Sequence, residues 1–372
     1  MKKRLGIYLH IPFCIQKCRY CDFCSFVDRE GEYVKSYVDA LCRSISSYAD
    51  RLCGYEADTV YFGGGTPSLL SVEQLERILY ALFETVTVSA AAEITLECNP
   101  ATADKSYFES IRGLGVNRLS MGLQSAFDEE LKLLGRIHSV NDFLKTYLDA
   151  RAAGFDNISA DLMYGIPSQT LGSFEESARF LCKLLPEHIS AYGLTVEDGT
   201  YFARHRDELE LADDDMQAQM YRACGEILSE YGYKKYEISN FARNEHVSRH
   251  NLRYWKCEEY LGFGVAAHSY FEGERFGNSR DIGAFIRGAD ITQEREQIDE
   301  AERAKEYVML GLRLTEGIDA SRYRSLFKRE LLEDIPRAEV YLKNGFMVFC
   351  NDRLKFTDKG IFVSNAILSD IL

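Results

Sequence analysis

The sequence predicts an α/β protein, a partial (βα)6 barrel carrying a smaller C-terminal helix-and-hairpin domain. Two observations predict it. Between residues 5 and 240 short β-rich runs alternate with amphipathic helical stretches, the rhythm of a parallel sheet with crossover helices. From Ala301 onward that rhythm gives way to two helical stretches, a hairpin-like run and a last short helix. The expected domains are 1–240 for the barrel, 241–300 for a connecting segment and 301–372 for the C-terminal unit.

The expected strands are LGIYLH at 5–10, DTVYFGG from Asp58, EITLE from Glu93, VNRLSMGL from Val116, NISADLM from Asn157 and HISAYGL from His188. Between the first two, Val34, Tyr37, Val38, Leu41, Ile45 and Tyr48 recur at helical spacing. Capping boxes at Ser71-Val-Glu-Gln74 and Ser139-Val-Asn-Asp142 mark helix starts. Successive βα units fit a partial barrel open on one side, and a doubly wound open sheet reads similarly at this level. In both, ligands collect where the strands end. Past residue 240 a polar, aromatic segment, SNFARNEHVSRHNLRYW, leads into the Gly-rich run LGFGVAAHSY. The run FMVFCNDRLKFTDKG reads as a hairpin.

The 372 residues are 46% hydrophobic, enough for a large core and more than one compact domain needs. The basic start, MKKRLGIYLHIPFC, has too short an apolar run for a signal peptide or a span, and nothing later reaches the ~18 apolar residues a spanning helix requires. A formal net charge of −14 repels phosphate backbones and anionic lipid, so nucleic acid is not an expected partner. Any membrane association is expected to be transient. Eleven cysteines in a long chain without a secretion signal read as reduced thiols of a cytoplasmic protein. Cys42, Cys53, Cys182 and Cys224 read as small buried hydrophobes.

Cys14, Cys18 and Cys21 ask for a chemical explanation. They form C-x3-C-x2-C directly after a β-strand, and thiolates are soft ligands for zinc or iron–sulfur clusters. Zinc sites usually draw four ligands from two separated pairs. Three cysteines on one loop suit a [4Fe–4S] cubane with its fourth iron open. An open iron can chelate the amino and carboxylate groups of S-adenosylmethionine (SAM) and set its sulfonium beside an electron source. Cys24 reads as a bystander, since a fourth thiolate would close that iron. The second motif, Gly63-Gly64-Gly65-Thr66-Pro67, ends the second strand, where glycines let backbone approach a ligand closely.

The strings YLHIPFCIQKCRYC, YFGGGTPSLL, NRLSMGLQSAFDEELKLLGRIH and ISADLMYGIP resemble the radical SAM proteins of the oxygen-independent coproporphyrinogen III dehydrogenase superfamily. The likeness runs from about Leu5 to at least Tyr270, more weakly beyond. It implies a radical SAM barrel in which Tyr8 lines the SAM site and Gly64, Gly65 and Thr66 contact the methionyl part. It also implies Glu97 as acceptor for the ribose hydroxyls, with Gln124, Arg136 and Asp161 as further SAM contacts.

Within that superfamily the chain resembles the HemW-type haem chaperones, which bind haem and pass it to apoproteins such as those of respiratory chains. The alternatives are the dehydrogenase itself and a haem-degrading radical SAM methyltransferase. The short N-terminus argues against the dehydrogenase arm, and Cys24 is misplaced for its C-x-C ending. His250-Asn-Leu-Arg-Tyr254-Trp255 matches the HNxxYW motif of the chaperone group, implying His250 as a haem-iron ligand beside an aromatic pair. His268 is a second ligand candidate. A tRNA-modifying enzyme is disfavoured by the acidic balance.

Overall fold

The structure, a computed structural model, describes residues 2–28 and 31–372. Six parallel strands follow one another across a sheet in chain order: β1 (Lys3–Ile11), β2 (Tyr55–Gly64), β3 (Thr87–Cys98), β4 (Arg118–Gln124), β5 (Ile158–Tyr164) and β6 (His188–Gly193). Crossovers to a parallel neighbour are right-handed. An order that never reverses therefore stacks every crossover helix on one face and curls the sheet, whereas a doubly wound sheet has to reverse its strand order. The fold is the partial-barrel alternative. The crossovers include α1 (Val34–Ser46), α2 (Val72–Thr85), α3 (Lys105–Gly113), α4 (Val140–Ala152) and α5 (Leu171–Leu184). Ser71 and Ser139 open α2 and α4 as true capping boxes.

Alternation along β1 sorts its side chains between two faces. Leu5, Ile7, Leu9 and Ile11 are wholly buried in the main apolar core with Tyr37, Leu41 and Ile45 of α1. Tyr8 and His10 take the concave face, in register with Tyr61 and Gly63 of β2. Along that face follow Thr95, Glu97, Ser120, Asp161 and Ser190 on β3 to β6. The barrel interior thus carries polar side chains from each of the six strands, groups of the kind that orient a bound ligand.

The sheet runs further than the βα rhythm suggests. After the helices α6 (Asp214–Glu230) and α7 (Arg249–Trp255), β7 (Tyr260–Phe263) adds parallel to β1 on its free side. Three antiparallel strands complete this wing: β8 (His268–Phe271), β9 (Glu274–Asn278) and β10 (Thr292–Gln297). In β10 nearly every side chain is exposed, and a register shift in β9 interrupts the pairing between them.

Helix α7 crosses the end of the barrel opposite the cysteine loop. The Glu93 carboxylate accepts from the backbone N–H groups of Arg249 at 3.1 Å and His250 at 3.0 Å, meeting the positive end of the helix. Arg253 forks onto buried Asp58 and lies across Gly6, where a Cβ would sit 2.6 Å from the arginine Cδ.

The C-terminal part has its own apolar core, built from α8 (Glu300–Gly311), α9 (Ala320–Phe327), a hairpin of β11 (Met347–Cys350) and β12 (Arg353–Phe356), and α10 (Ser364–Ile371). The hairpin turns on Asn351 and Asp352, both at positive φ, 52° and 59°, the conformation its tight turn demands. Cys182 and Cys224 are buried core residues, but Cys53 is exposed because it lies in the turn after the short helix Ala49–Leu52. Among the described residues no helix is long and apolar enough to cross a membrane.

Candidate functional site

The loop after β1 folds back on itself. Phe13–Cys14 pairs with Phe26–Val27, and the Phe26 N–H donates to the Pro12 carbonyl at 2.6 Å. Its tip is held from the far side of the barrel, where Arg19 N–H donates to the Leu134 carbonyl at 2.9 Å and the Gln16 amide to that of Gly135 at 3.0 Å. The glycine loop docks against the start of the same loop: Gly65 N–H reaches the Ile11 carbonyl and Thr66 N–H the Phe13 carbonyl, both at 2.8 Å. A Cβ on residue 65 would lie 2.6 Å from the Phe13 oxygen and 2.9 Å from its nitrogen, main-chain atoms with no freedom to move aside. We expect Gly65→Ala to cost about 1–3 kcal/mol in denaturant melts and to separate the two loops, measurably weakening SAM binding in calorimetry.

Together these segments enclose a cavity of about 150 Å³ lined by Cys14, Cys18 and Cys21, by Gly64, Gly65 and Thr66, and by Glu97, Gln124, Arg136 and Asp161. Ten residues singled out in the sequence thus meet in one chamber. Thr66 Oγ1 donates to Cys14 Sγ and Arg136 Nη1 to Cys18 Sγ, each at 3.6 Å. Burial pushes the Cys14 thiol up and that of Cys21 up to about 11, so ionising them calls for positive charge placed among them. Among the described residues no three His, Cys, Asp or Glu side chains converge closely enough to share one metal ion. A cubane differs, because each thiolate takes its own iron.

Several polar atoms on the chamber wall are buried without a partner: Gln124 Oε1, Arg136 Nε and Asp161 Oδ1. Gln124 is also held at φ 71°, a conformation disfavoured for a residue with a side chain. Unmet buried groups and backbone strain are costly, and they gather where a ligand completes the bonding. Glu97 accepts from the Tyr61 hydroxyl at 2.8 Å and the Gly64 N–H at 3.1 Å. Burial nonetheless raises its carboxyl to about 7 and that of Asp161 to about 6. Asn99 and Ser120 on the same wall escaped the sequence reading. Asn99 accepts from Arg136 Nη2 at 2.8 Å, and its one signal was a polar residue just past a strand end.

The structure places two candidates elsewhere. Tyr8 does not line the cysteine chamber. It faces a second cavity of about 800 Å³ with His10, Cys24, Tyr254, Trp255 and His268. It shares the concave face with Glu97, a Cβ on Gly63 lying 3.0 Å from Tyr8 Cε2 and 3.2 Å from Glu97 Oε1, and its hydroxyl donates to His10 Nδ1 at 3.0 Å while His10 Nε2 donates to the Cys24 carbonyl at 2.8 Å. His250 is only 1% exposed and lines neither cavity. Its Nδ1 meets Thr59 Oγ1 at 2.9 Å and its Nε2 the Tyr254 hydroxyl at 2.8 Å, so both ring nitrogens are committed. Burial, with Arg253 and Arg118 nearby, lowers it to about 3 and keeps the ring neutral. Cys24 belongs to the second cavity, apart from the other three thiols, and Phe23 lines both chambers.

The Radical SAM superfamily model matches residues 8–181, and a HemN C-terminal domain model matches 298–363. The chain is 35% identical to "Heme chaperone HemW" of Synechocystis sp., over 97% of this chain and 95% of that one. The chain belongs to the HemW family of radical SAM proteins. "Heme chaperone HemW" of Escherichia coli is 33% identical over 98% of this chain and 97% of its own length. The bovine "Radical S-adenosyl methionine domain-containing protein 1, mitochondrial" is likewise 33% identical, over 100% of this chain and 88% of its own. The solved structure of HemN from Escherichia coli, described there as coproporphyrinogen III oxidase and a radical SAM enzyme, shares the fold. Its TM-score is 0.86 at 23% identity, covering 99% of this chain and 90% of that one. As a radical SAM protein of the HemW family, the chain takes a [4Fe–4S] cluster and SAM as its cofactors.

Proposed function

We propose that this protein is a haem chaperone, binding haem and passing it to apoproteins, with a radical SAM centre built into the same barrel. The observation that carries this reading is the pair of cavities meeting at Phe23, one lined by three thiols and the other large and aromatic. At about 800 Å³ the second lies within the roughly 300–1,000 Å³ usual for cofactor-sized ligands. Tyr254, Trp255, Tyr260 and Tyr270 supply flat apolar walls to a macrocycle. Arg280, which has no ion-pair partner among the described residues, can meet a propionate there.

In this reading Cys14, Cys18 and Cys21 hold the cluster. Gly64, Gly65 and Thr66 receive the methionyl end of SAM, while Glu97, Gln124, Arg136 and Asp161 bond its polar groups. When bound, the cluster supplies an electron at low potential to the sulfonium. The carboxylates of Glu97 and Asp161 line the chamber that would receive this cationic ligand. Their raised pKa values set a sign: a cationic ligand favours the ionised forms, so affinity is full above about pH 7 and declines as each carboxyl takes up its proton. Calorimetric SAM titrations are expected to weaken about tenfold from about pH 8 to pH 6, with a flatter profile for Glu97→Gln.

Eleven free thiols suit the reducing cytoplasm in which we place the protein. The acceptors are haem-binding apoproteins. The test incubates reconstituted protein with haem and then with an apo-haemoprotein, following transfer by absorption. A parallel incubation with coproporphyrinogen III, SAM and reductant is expected to yield no protoporphyrinogen. Its appearance would overturn the chaperone reading.

A further inference from the structure

We propose that His268, and not His250, is the axial ligand of the haem iron, and that Gly277 is the cradle that aims its ring. The assignment rests on the chaperone reading above and adds to it the ligand and its support.

Two imidazoles line the large cavity, His10 and His268. His10 spends both nitrogens, on Tyr8 and on the Cys24 carbonyl. His250, behind the wall, spends both on Thr59 and Tyr254. His268 stands at the start of β8, exposed to the cavity, with no hydrogen-bond partner for its ring among the described residues. An imidazole with an open nitrogen, on a strand and in a cavity walled by aromatic rings, is what haem iron takes from a protein.

The opposite strand is shaped to this ring. Gly277 of β9 is the register partner of His268, and the imidazole lies across its bare Cα. A Cβ there would sit 3.0 Å from Cε1 and Nδ1 and 3.7 Å from Nε2, so Nε2 is the farthest of the three atoms from that backbone. The next residue, Ser269, ties the strand to β7 by accepting from Gly262 N–H at 3.0 Å. Burial raises the thiols of Cys24 and Cys257 on the same wall, the latter to about 12, which keeps them protonated and poor competitors for iron.

His250 then acts through Tyr254. The 2.8 Å bond from its Nε2 fixes the phenol that lines the cavity, a positioning role that accounts for a histidine four residues before that tyrosine.

The experiment titrates haem into the full-length reconstituted protein and reads the complex by resonance Raman and electron paramagnetic resonance. Wild-type protein is expected to show an iron–histidine stretch. His268→Gly should lose it and regain it on addition of free imidazole. Gly277→Ala should keep the fold and weaken haem binding roughly tenfold, the effect of disturbing a ligand's support. His250→Gln should bind more weakly yet retain the histidine signature. An unchanged signature in His268→Gly, or imidazole rescue confined to a His250→Gly variant, overturns the assignment. A thiolate signature in the wild-type complex overturns it as well. Failure of the wild-type protein to bind haem at all overturns the chaperone reading itself, a result distinct from either.

Discussion

Alanine at Cys14, Cys18 or Cys21 is expected to strip the protein of its iron, whereas Cys24→Ala leaves it in place. Anaerobic reconstitution of the wild-type chain should yield ~4 iron and ~4 sulfide per chain, and each of the three variants should return to background. The asymmetry comes from geometry. Three thiols line the chamber closed by the glycine loop, and the fourth lines the neighbouring one. Cys24 stands apart from them, its carbonyl held in the neighbouring chamber by the hydrogen bond from His10 Nε2 at 2.8 Å. Loss of iron in Cys24→Ala together with retention in Cys14→Ala would refute the ligand set.

The second large effect is expected at Asp58. Arg253 and Asp58 are 3% and 8% exposed, and the guanidinium also donates to the Glu259 carbonyl at 3.1 Å. Removing Asp58 leaves the buried guanidinium only the half-exposed Glu258 at 3.5 Å as a counter-charge, so Asp58→Ala should lower stability by about 3 kcal/mol in equilibrium denaturation. Arg253 occupies one of the two unspecified positions of the HNxxYW motif. It nevertheless fastens α7, and with it Tyr254 and Trp255, to the floor of the barrel. The variant should therefore also lose haem affinity. A melt indistinguishable from wild type would show that α7 is held by other contacts.

The residues differ in how openly they declare their place. The cysteine loop and glycine loop were legible because their chemistry is local: both spacings lie within a few residues and both follow a β-rich run. The alternating βα rhythm was legible for the same reason, and strand order then decided between a barrel and a doubly wound sheet. Tyr8 shares the concave face with Glu97, but its hydroxyl is turned onto His10, a contact that no motif spells out. Thr59, which meets Nδ1 of His250, stands 191 positions away in sequence, a partner beyond anything a motif encodes. The wing strands β7 and β8 are only four residues each, too short to show an alternation, and β10, TQEREQ, has no apolar alternation to announce it.

That last strand bears on colloidal behaviour. An open sheet ends in unpaired amide and carbonyl groups, which invite a strand from another molecule and can seed fibres. Here the rim carries Glu294, Arg295 and Glu296 in succession, Glu294 at φ 55° and Arg295 paired with Glu274 at 2.7 Å. An incoming strand would have to bury those charges and match a kinked backbone. For a protein whose cargo is itself sparingly soluble and prone to stack, a rim that refuses self-association keeps the loaded carrier dispersed.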